Sequence, residues 1–273
     1  MVKVFTMVKD EVDIIKDWII YHGCLFGWNN IYIIDNYSTD GTYELMQEYE
    51  KFGIHIFRES DYNKKGEYMT QLIDKYCHED KIAFPIDIDE FIVHCNQSSK
   101  EVITNKEIIT NYFKNLPQHG LYKANYLVPI ITNEFGYERA TAELNYATYA
   151  DYGAHAKSFI NTDLFRGKID HGNHIHSDTY FLTDIALVHY HSRNIEQIKK
   201  KIINNVIGLG YSTDLSNLKQ ALIKNPCCPG SHHIQRYIDI IENNFRLEYQ
   251  STIDTNACIS IRSLKQRIID GFF

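Results

Sequence analysis

The residues best suited to chemistry lie between Lys81 and Val93, in Lys-Ile-Ala-Phe-Pro-Ile-Asp-Ile-Asp-Glu-Phe-Ile-Val, where an apolar run rises into three carboxylates and turns apolar again. In an extended chain the spacing of Asp87 and Asp89 points both side chains to one side and Ile88 to the other. Two carboxylates on one face are costly to hold together unless a cation lies between them. Oxygen ligands of this kind suit Mg2+ or Mn2+ carrying substrate phosphates. A lone Asp-x-Asp is common by chance and is more often a helix cap or a solvated loop. Here Ile82, Ala83, Phe84 and Ile86 read as a strand buried on both faces, as inside a parallel sheet, which puts the carboxylates at its carboxyl-terminal edge.

Such a pair needs a sheet behind it, and the preceding chain supplies one. Residues 4–8 read as a first strand, followed by Lys9-Asp10-Glu11 and a helix carrying Ile14, Ile15, Trp18 and Ile19 on one face. Residues 30–35 read as a second strand, ending in Asp35-Asn36-Tyr37-Ser38-Thr39-Asp40-Gly41-Thr42, a polar loop able to cap a helix over 43–49. A third strand at 55–58 and a helix at 68–76, with Leu72, Ile73 and Tyr76 inward, lead to the carboxylate strand. Strands alternating with helices imply right-handed βαβ units and a parallel sheet. Ligands of such sheets bind beyond the carboxyl ends of the strands, where Asp10, Glu11, Asp35, Asn36, Asp61, Asp87 and Asp89 all fall.

Four motifs then stand in order: Lys9-Asp10-Glu11, Asp17-Trp18-Ile19-Ile20-Tyr21-His22, Asp35-Asn36-x-Ser38-x-Asp40-Gly41 and Asp87-Ile88-Asp89-Glu90-Phe91. They resemble the GT-A glycosyltransferases of the family 2-like and family 92 groups, whose usual pattern is K-N-E, E-W-I-x-Y-H, D-N-x-S-x-D-G and D-I-D-E-F. The resemblance covers residues 3–205, with Asp10 in place of Asn and Asp17 in place of Glu. It implies an α/β GT-A fold, a Rossmann-like and mostly parallel central sheet flanked by helices, over residues 1–207, with a donor half to 95 and an acceptor half from 96. It implies transfer of a hexose or a pentose such as xylose from a nucleotide-sugar donor, UDP-linked on the family pattern, to a hydroxyl of a glycan acceptor. On this resemblance the base and ribose lie against Val8, Lys9, Glu11, Asp35, Asn36 and Asp61, with Gln71, Asp87 and Ile88 also at the donor. Lys157 and Arg193 are the cations for the phosphates, and a Mn2+ or Mg2+ ion falls to Asp87, Asp89 and His189, with His191 as alternate.

The later chain is less explicit. Residues 120–129 alternate like a strand, and residues 133–153 form a long polar and aromatic loop, which the resemblance assigns to the acceptor. If configuration is inverted, a carboxylate must reach the acceptor hydroxyl, and Glu134, Asp151 and Asp163 are the candidate bases. Tyr126, Phe135, Tyr137, Tyr146, Tyr149 and Tyr152 would suit stacking on a sugar, although many such rings must be core. His171, His174 and His176 are dense but lack a zinc ligand set. Residues 184–190 read as a strand, and Ile195, Ile198, Ile202, Ile203 and Val206 as one helix face. After Gly208-Leu209-Gly210 the chain changes character, and residues 208–273 read as a helical C-terminal extension. Its last amphipathic helix, with Arg262, Lys265 and Arg267 beside Phe272-Phe273, could pack on the catalytic domain, on a second subunit or on an anionic membrane surface.

Composition narrows the classes. With 44% hydrophobic and 23% charged residues the 273-residue chain is globular, and a net charge of -7 argues against a general nucleic-acid binder. No signal peptide or membrane-length apolar stretch is visible, and six cysteines without C-x-x-C spacing read as reduced thiols, so a soluble cytoplasmic protein is expected. The rivals are a metal-dependent phosphoesterase, disfavoured by a single carboxylate pair, and a non-catalytic glycan-binding module on the same fold. A nucleotidyltransferase would need a Gly-rich, Arg-containing loop after the first strand, and Val8-Lys9-Asp10-Glu11 has none.

Overall fold

The computed structural model describes residues 1–77, 82–95, 102–117, 120–129, 143–148, 157–161, 167–177, 179–190, 195–228, 230–242 and 258–260. In chain order the first elements are β1 (Val2–Val8), α1 (Ile15–Phe26), β2 (Ile31–Asp35), α2 (Thr42–Glu50), β3 (His55–Arg58), α3 (Lys65–Tyr76) and β4 (Ile82–Pro85). Next come β5 (Glu90–Cys95), β6 (Val102–Ile103), α4 (Lys106–Lys114), β7 (Leu121–Pro129), β8 (Glu143–Thr148), β9 (Ser158–Asn161) and β10 (Phe181–His189). Three helices follow, α5 (Ile195–Gly208), α6 (Leu215–Lys224) and α7 (Ser231–Ile241), and then a short strand, β11 (Cys258–Ser260).

The described residues form two compact units, all the strands with α1–α4 in one and α5–α7 in the other. The first is an α/β unit, the class expected from the sequence. Its sheet runs β3-β2-β1-β4-β9-β7-β10-β5-β6, with β8 beside β7 and β11 beside β8. β3, β2, β1 and β4 are mutually parallel, as the βαβ alternation requires. Beyond β4 the sheet is mixed: β9 is antiparallel to β4 and β7, β10 is parallel to β7, and β5 is antiparallel to β10.

Alternation along the strands builds two cores. Phe5 and Met7 of β1, Tyr32 and Ile34 of β2 and Ala83 of β4 pack with Met69 and Ile73 of α3. The next residue of β4, Phe84, turns to the opposite face, where its ring meets Phe113 of α4 and Phe159 of β9. On α1, Ile15, Trp18 and Ile19 are fully buried, and each such side chain contributes about 1.5–3 kcal/mol. In the second unit Ile198, Ile202 and Val206 of α5, Leu218 of α6 and Ile234 and Ile238 of α7 share one core.

Three expectations change. The strand before the carboxylates stops at Pro85, and Asp87 to Asp89 form a turn in which Glu90 N–H donates to Asp87 C=O at 3.1 Å. Asp87 and Asp89 lie outside the strand, so strand alternation does not set where their side chains point. The boundary at 207/208 falls within the α5–α7 unit, since α5 packs on α7 through their shared core. The region after 208 is not wholly helical either, as β11 pairs antiparallel with β8. The expected last helix lies outside the described residues.

Candidate active site

The loops that follow β1 and β2 are tied to one another. Lys9 Nζ donates to the carbonyls of Asn36 and Tyr37, at 2.8 and 3.2 Å. Asp10 N–H donates to Ser38 Oγ, and Asp10 Oδ1 accepts from Thr39 N–H at 2.7 Å. Glu11 N–H donates to Thr42 Oγ1 at 2.9 Å, and that hydroxyl donates to Asp40. Asp35 is fully enclosed, with Oδ2 accepting from Arg58 Nε at 3.0 Å and Oδ1 from Ser38 N–H at 3.1 Å. Asp35, expected to read a base or ribose, is also a tie within this loop. Arg58 lies between the rings of Tyr37 and Tyr43, 4.4 and 4.0 Å from their centroids. Asp10 and Tyr37 have positive φ, an uncommon conformation for residues with side chains that concentrates at functional loops.

The second cluster surrounds the turn between β4 and β5. Asp87 Oδ1 accepts from Lys65 Nζ at 2.7 Å and from Asn173 Nδ2 at 2.8 Å, and Oδ2 accepts from Lys157 Nζ at 2.7 Å. The lysine side chains are 6% and 3% exposed and that of Asp87 is 31% exposed, so solvent reaches the carboxylate more than the cations. Burial acts to raise the Asp87 carboxyl, but the charges of Lys157 and Lys65 overturn it and hold the group well below the usual carboxylate range. Lys157 also donates to Gly172 C=O. The sequence reading gave Asp87 to a metal and Lys157 to phosphate; the structure joins them in one ion pair.

Glu90 is wholly buried beside this cluster. Its Oε2 accepts from Asp87 N–H and its Oε1 from the Tyr126 hydroxyl, both at 2.8 Å. Burial pushes its carboxyl up, with Lys157 opposing. Burial and then the Glu90 charge push the Tyr126 phenol well above its ordinary value, so it remains a donor. Tyr126, expected as a stacking surface for a sugar, is buried. Asp89 is buried as well, and its Oδ1 lies 3.5 Å from His189 Nε2 at the end of β10.

The remaining assigned residues are placed as follows. Val8 is buried, and its carbonyl accepts from Asn36 N–H at 2.8 Å. Ile88 is buried in the turn, Gln71 is exposed on α3, and Asp61 Oδ1 accepts from Asn63 N–H at 3.1 Å. His174 and His176 both meet Asp170, at 3.2 and 2.9 Å, and His171 packs edge-on against Tyr62. No group of three His, Cys, Asp or Glu among the described residues is arranged to hold a metal. Glu134, Asp151, Asp163, His191 and Arg193 lie outside the described residues.

Sequence reasoning missed Lys65 and Asn173. Lys65 looks like half of an ordinary Lys64-Lys65 surface pair, yet it opens α3 beside Gly66. A Cβ on Gly66 would lie 2.2 Å from the carbonyl oxygen of Ile169, so only glycine lets α3 approach the turn that carries Asn173. Asn173, at φ 62, is the residue type that tolerates this conformation best after glycine.

No family model and no curated protein matches the chain. Among solved structures it is similar to the mannosyltransferase PcManGT from Pyrobaculum calidifontis in complex with GDP-Man and Mn2+, at 11% identity and a TM-score of 0.43, over 90% of this chain and 76% of that one. S. aureus TarS 1-349 in complex with UDP is similar at 9% identity and a TM-score of 0.41, over 89% and 70% of the two chains. The same TarS fragment in complex with UDP-GlcNAc gives 10% identity and a TM-score of 0.38, over 89% and 72%. Likeness at this level leaves function to be argued from the residues.

Proposed function

We propose that the chain is a metal-dependent glycosyltransferase of the GT-A type, moving a hexosyl or pentosyl group from a nucleotide-sugar donor to a hydroxyl of a glycan acceptor. One observation carries the reading: the turn after β4 brings the Asp89 carboxylate within 3.5 Å of the His189 imidazole, in a chain that also bears the four ordered motifs. An oxygen and a nitrogen at that separation fit two ligands each about 2.0–2.2 Å from a shared ion. Mn2+ and Mg2+ are commonly held by one or two protein groups plus substrate phosphates, so Asp89 and His189 suffice as the protein's share. When bound, such an ion neutralises negative charge on a departing diphosphate.

The chain's own residues supply the rest of the donor end. Asp87 fixes the Lys65 and Lys157 ammoniums beside the turn, where they add positive potential toward phosphate. Glu90 holds the turn by its Asp87 N–H bond. UDP is the first donor nucleotide to test, and Glu134, Asp151 and Asp163 remain the candidate bases.

Calorimetric titration with UDP and with GDP, with and without Mn2+, tests the reading on wild type and Asp89→Ala. Nucleotide binding that requires Mn2+ and is lost in Asp89→Ala is expected. Failure of both nucleotides to bind with Mn2+ present, or binding indifferent to Mn2+ and to Asp89, overturns it.

A further inference from the structure

We infer that Glu90 and Tyr126 are positioning residues that set the Asp89 turn against His189, an inference that takes the proposed donor site as its frame. The sheet register brings them together. β10 runs antiparallel to β5 with His189 opposite Glu90, so these two side chains share a face of the sheet. β7 runs parallel to β10 on its other side, with Tyr126 paired to Leu187, two residues before His189. The Tyr126 ring lies 5.3 Å from the His189 ring and its hydroxyl reaches Glu90 Oε1 at 2.8 Å. The second oxygen of Glu90 takes the Asp87 N–H at 2.8 Å, at the start of the turn that carries Asp89. Glu90 also fixes the turn through its backbone, since its N–H donates to Asp87 C=O and its carbonyl accepts from Trp18 Nε1 at 2.9 Å. One carboxylate therefore ties the turn to the aromatic ring that backs the histidine.

An apolar residue at 90 would avoid the cost of a buried carboxylate, and a merely space-filling tyrosine would need no hydroxyl contact. The two-sided bond instead gives a single conformation to two groups that arrive from different strands. Hydrogen-bonded partners behind metal ligands act in this way, and their loss commonly costs about 10–100-fold in metal affinity.

Tyr126→Phe removes one hydroxyl and keeps the ring, so it is the variant of choice. Tyr122→Phe is the control, because Tyr122 lies on the same strand and its hydroxyl also donates a hydrogen bond, to the Pro117 carbonyl rather than to Glu90. The first readout needs no metal: the ring nitrogen shifts and tautomer of His189 by NMR in the apo protein, the resonance assigned with His189→Gln. Tyr126→Phe is expected to move this signal and Tyr122→Phe to leave it in place. The second readout is Mn2+ binding in the presence of UDP, followed by the electron spin resonance of the ion, expected to weaken about 10-fold in Tyr126→Phe with a changed spectrum. If the His189 signal in Tyr126→Phe equals wild type, the inference is overturned whatever the metal does. If that signal moves while the wild type binds no Mn2+ with UDP or GDP, the positioning stands and the metal-dependent reading of the site fails. A lower melting temperature with both readouts unchanged would reduce Glu90 and Tyr126 to ordinary core.

Discussion

The two polar clusters at the carboxyl ends of the parallel strands use the same residue type in opposite ways. At the end of β2, Asp35 is fully enclosed and is met by Arg58 of β3 and by a backbone N–H three residues on. After β4, Asp87 draws its partners from residues 65, 157 and 173, and leaves its carboxylate partly open to solvent. The first cluster encloses its carboxylate and leaves the arginine in water, whereas the second buries two lysines and leaves the carboxylate partly open.

The contrast is sharpest in stability. Asp87→Asn leaves two almost fully buried lysines facing a neutral amide, and breaking a buried ion pair in this way costs about 3–5 kcal/mol. Asp35→Asn costs less, about 1–2 kcal/mol, because Arg58 keeps 36% of its side chain in water. Urea denaturation of the two variants ranks them directly, and equal losses would erase the distinction.

Acid should act on the second region from behind. His22 of α1 accepts from Ile92 N–H of β5 and stacks on Phe91, just past the carboxylate turn. Burial drives its pKa down from 6.5 to about 3, despite the opposing bond to Trp18 C=O. Below about pH 6.5 the unfolded chain takes up a proton that the folded chain refuses. The contribution of this group is therefore full above that pH and falls by about 1.4 kcal/mol per pH unit as the pH drops toward 3. His22→Gln should flatten that part of the stability curve; an unchanged slope would place the acid sensitivity elsewhere.

The smallest effect belongs to the first cluster. Thr42→Ala removes the acceptor of Glu11 N–H and should cost about 1 kcal/mol in denaturation, with UDP binding in the presence of Mn2+ kept. A variant that folds normally but no longer binds UDP would move the loop from scaffold to site.

How far the sequence discloses these regions follows from the range of the interactions. β1 to β4 and the helices between them are legible because each is set by local periodicity. The carboxylates themselves are legible as a cluster after a buried strand. Their turn geometry is not, because Pro85 ends the strand and the turn depends on Glu90, whose side-chain partners are a backbone N–H and a tyrosine on another strand. Lys65 and Asn173 are not legible at all, since a lysine and an asparagine acquire meaning there only when α3, β9 and the 170–174 turn meet. Asp35 is legible as part of a motif, but its bond to Arg58 is not, because that residue arrives on the neighbouring strand β3.

The reach of Asp87 also bears on how the chain assembles. Two of its partners, Lys157 and Asn173, lie 70 and 86 residues away in sequence, and contacts of such separation require long loops to close first. The parallel strands, set by local βαβ units, can form while both lysines are still hydrated. Lys157, next to β9, reaches Asp87 only once β9 lies against β4, so on this reasoning the Asp87 cluster should gain its native electrostatics after the parallel strands have paired.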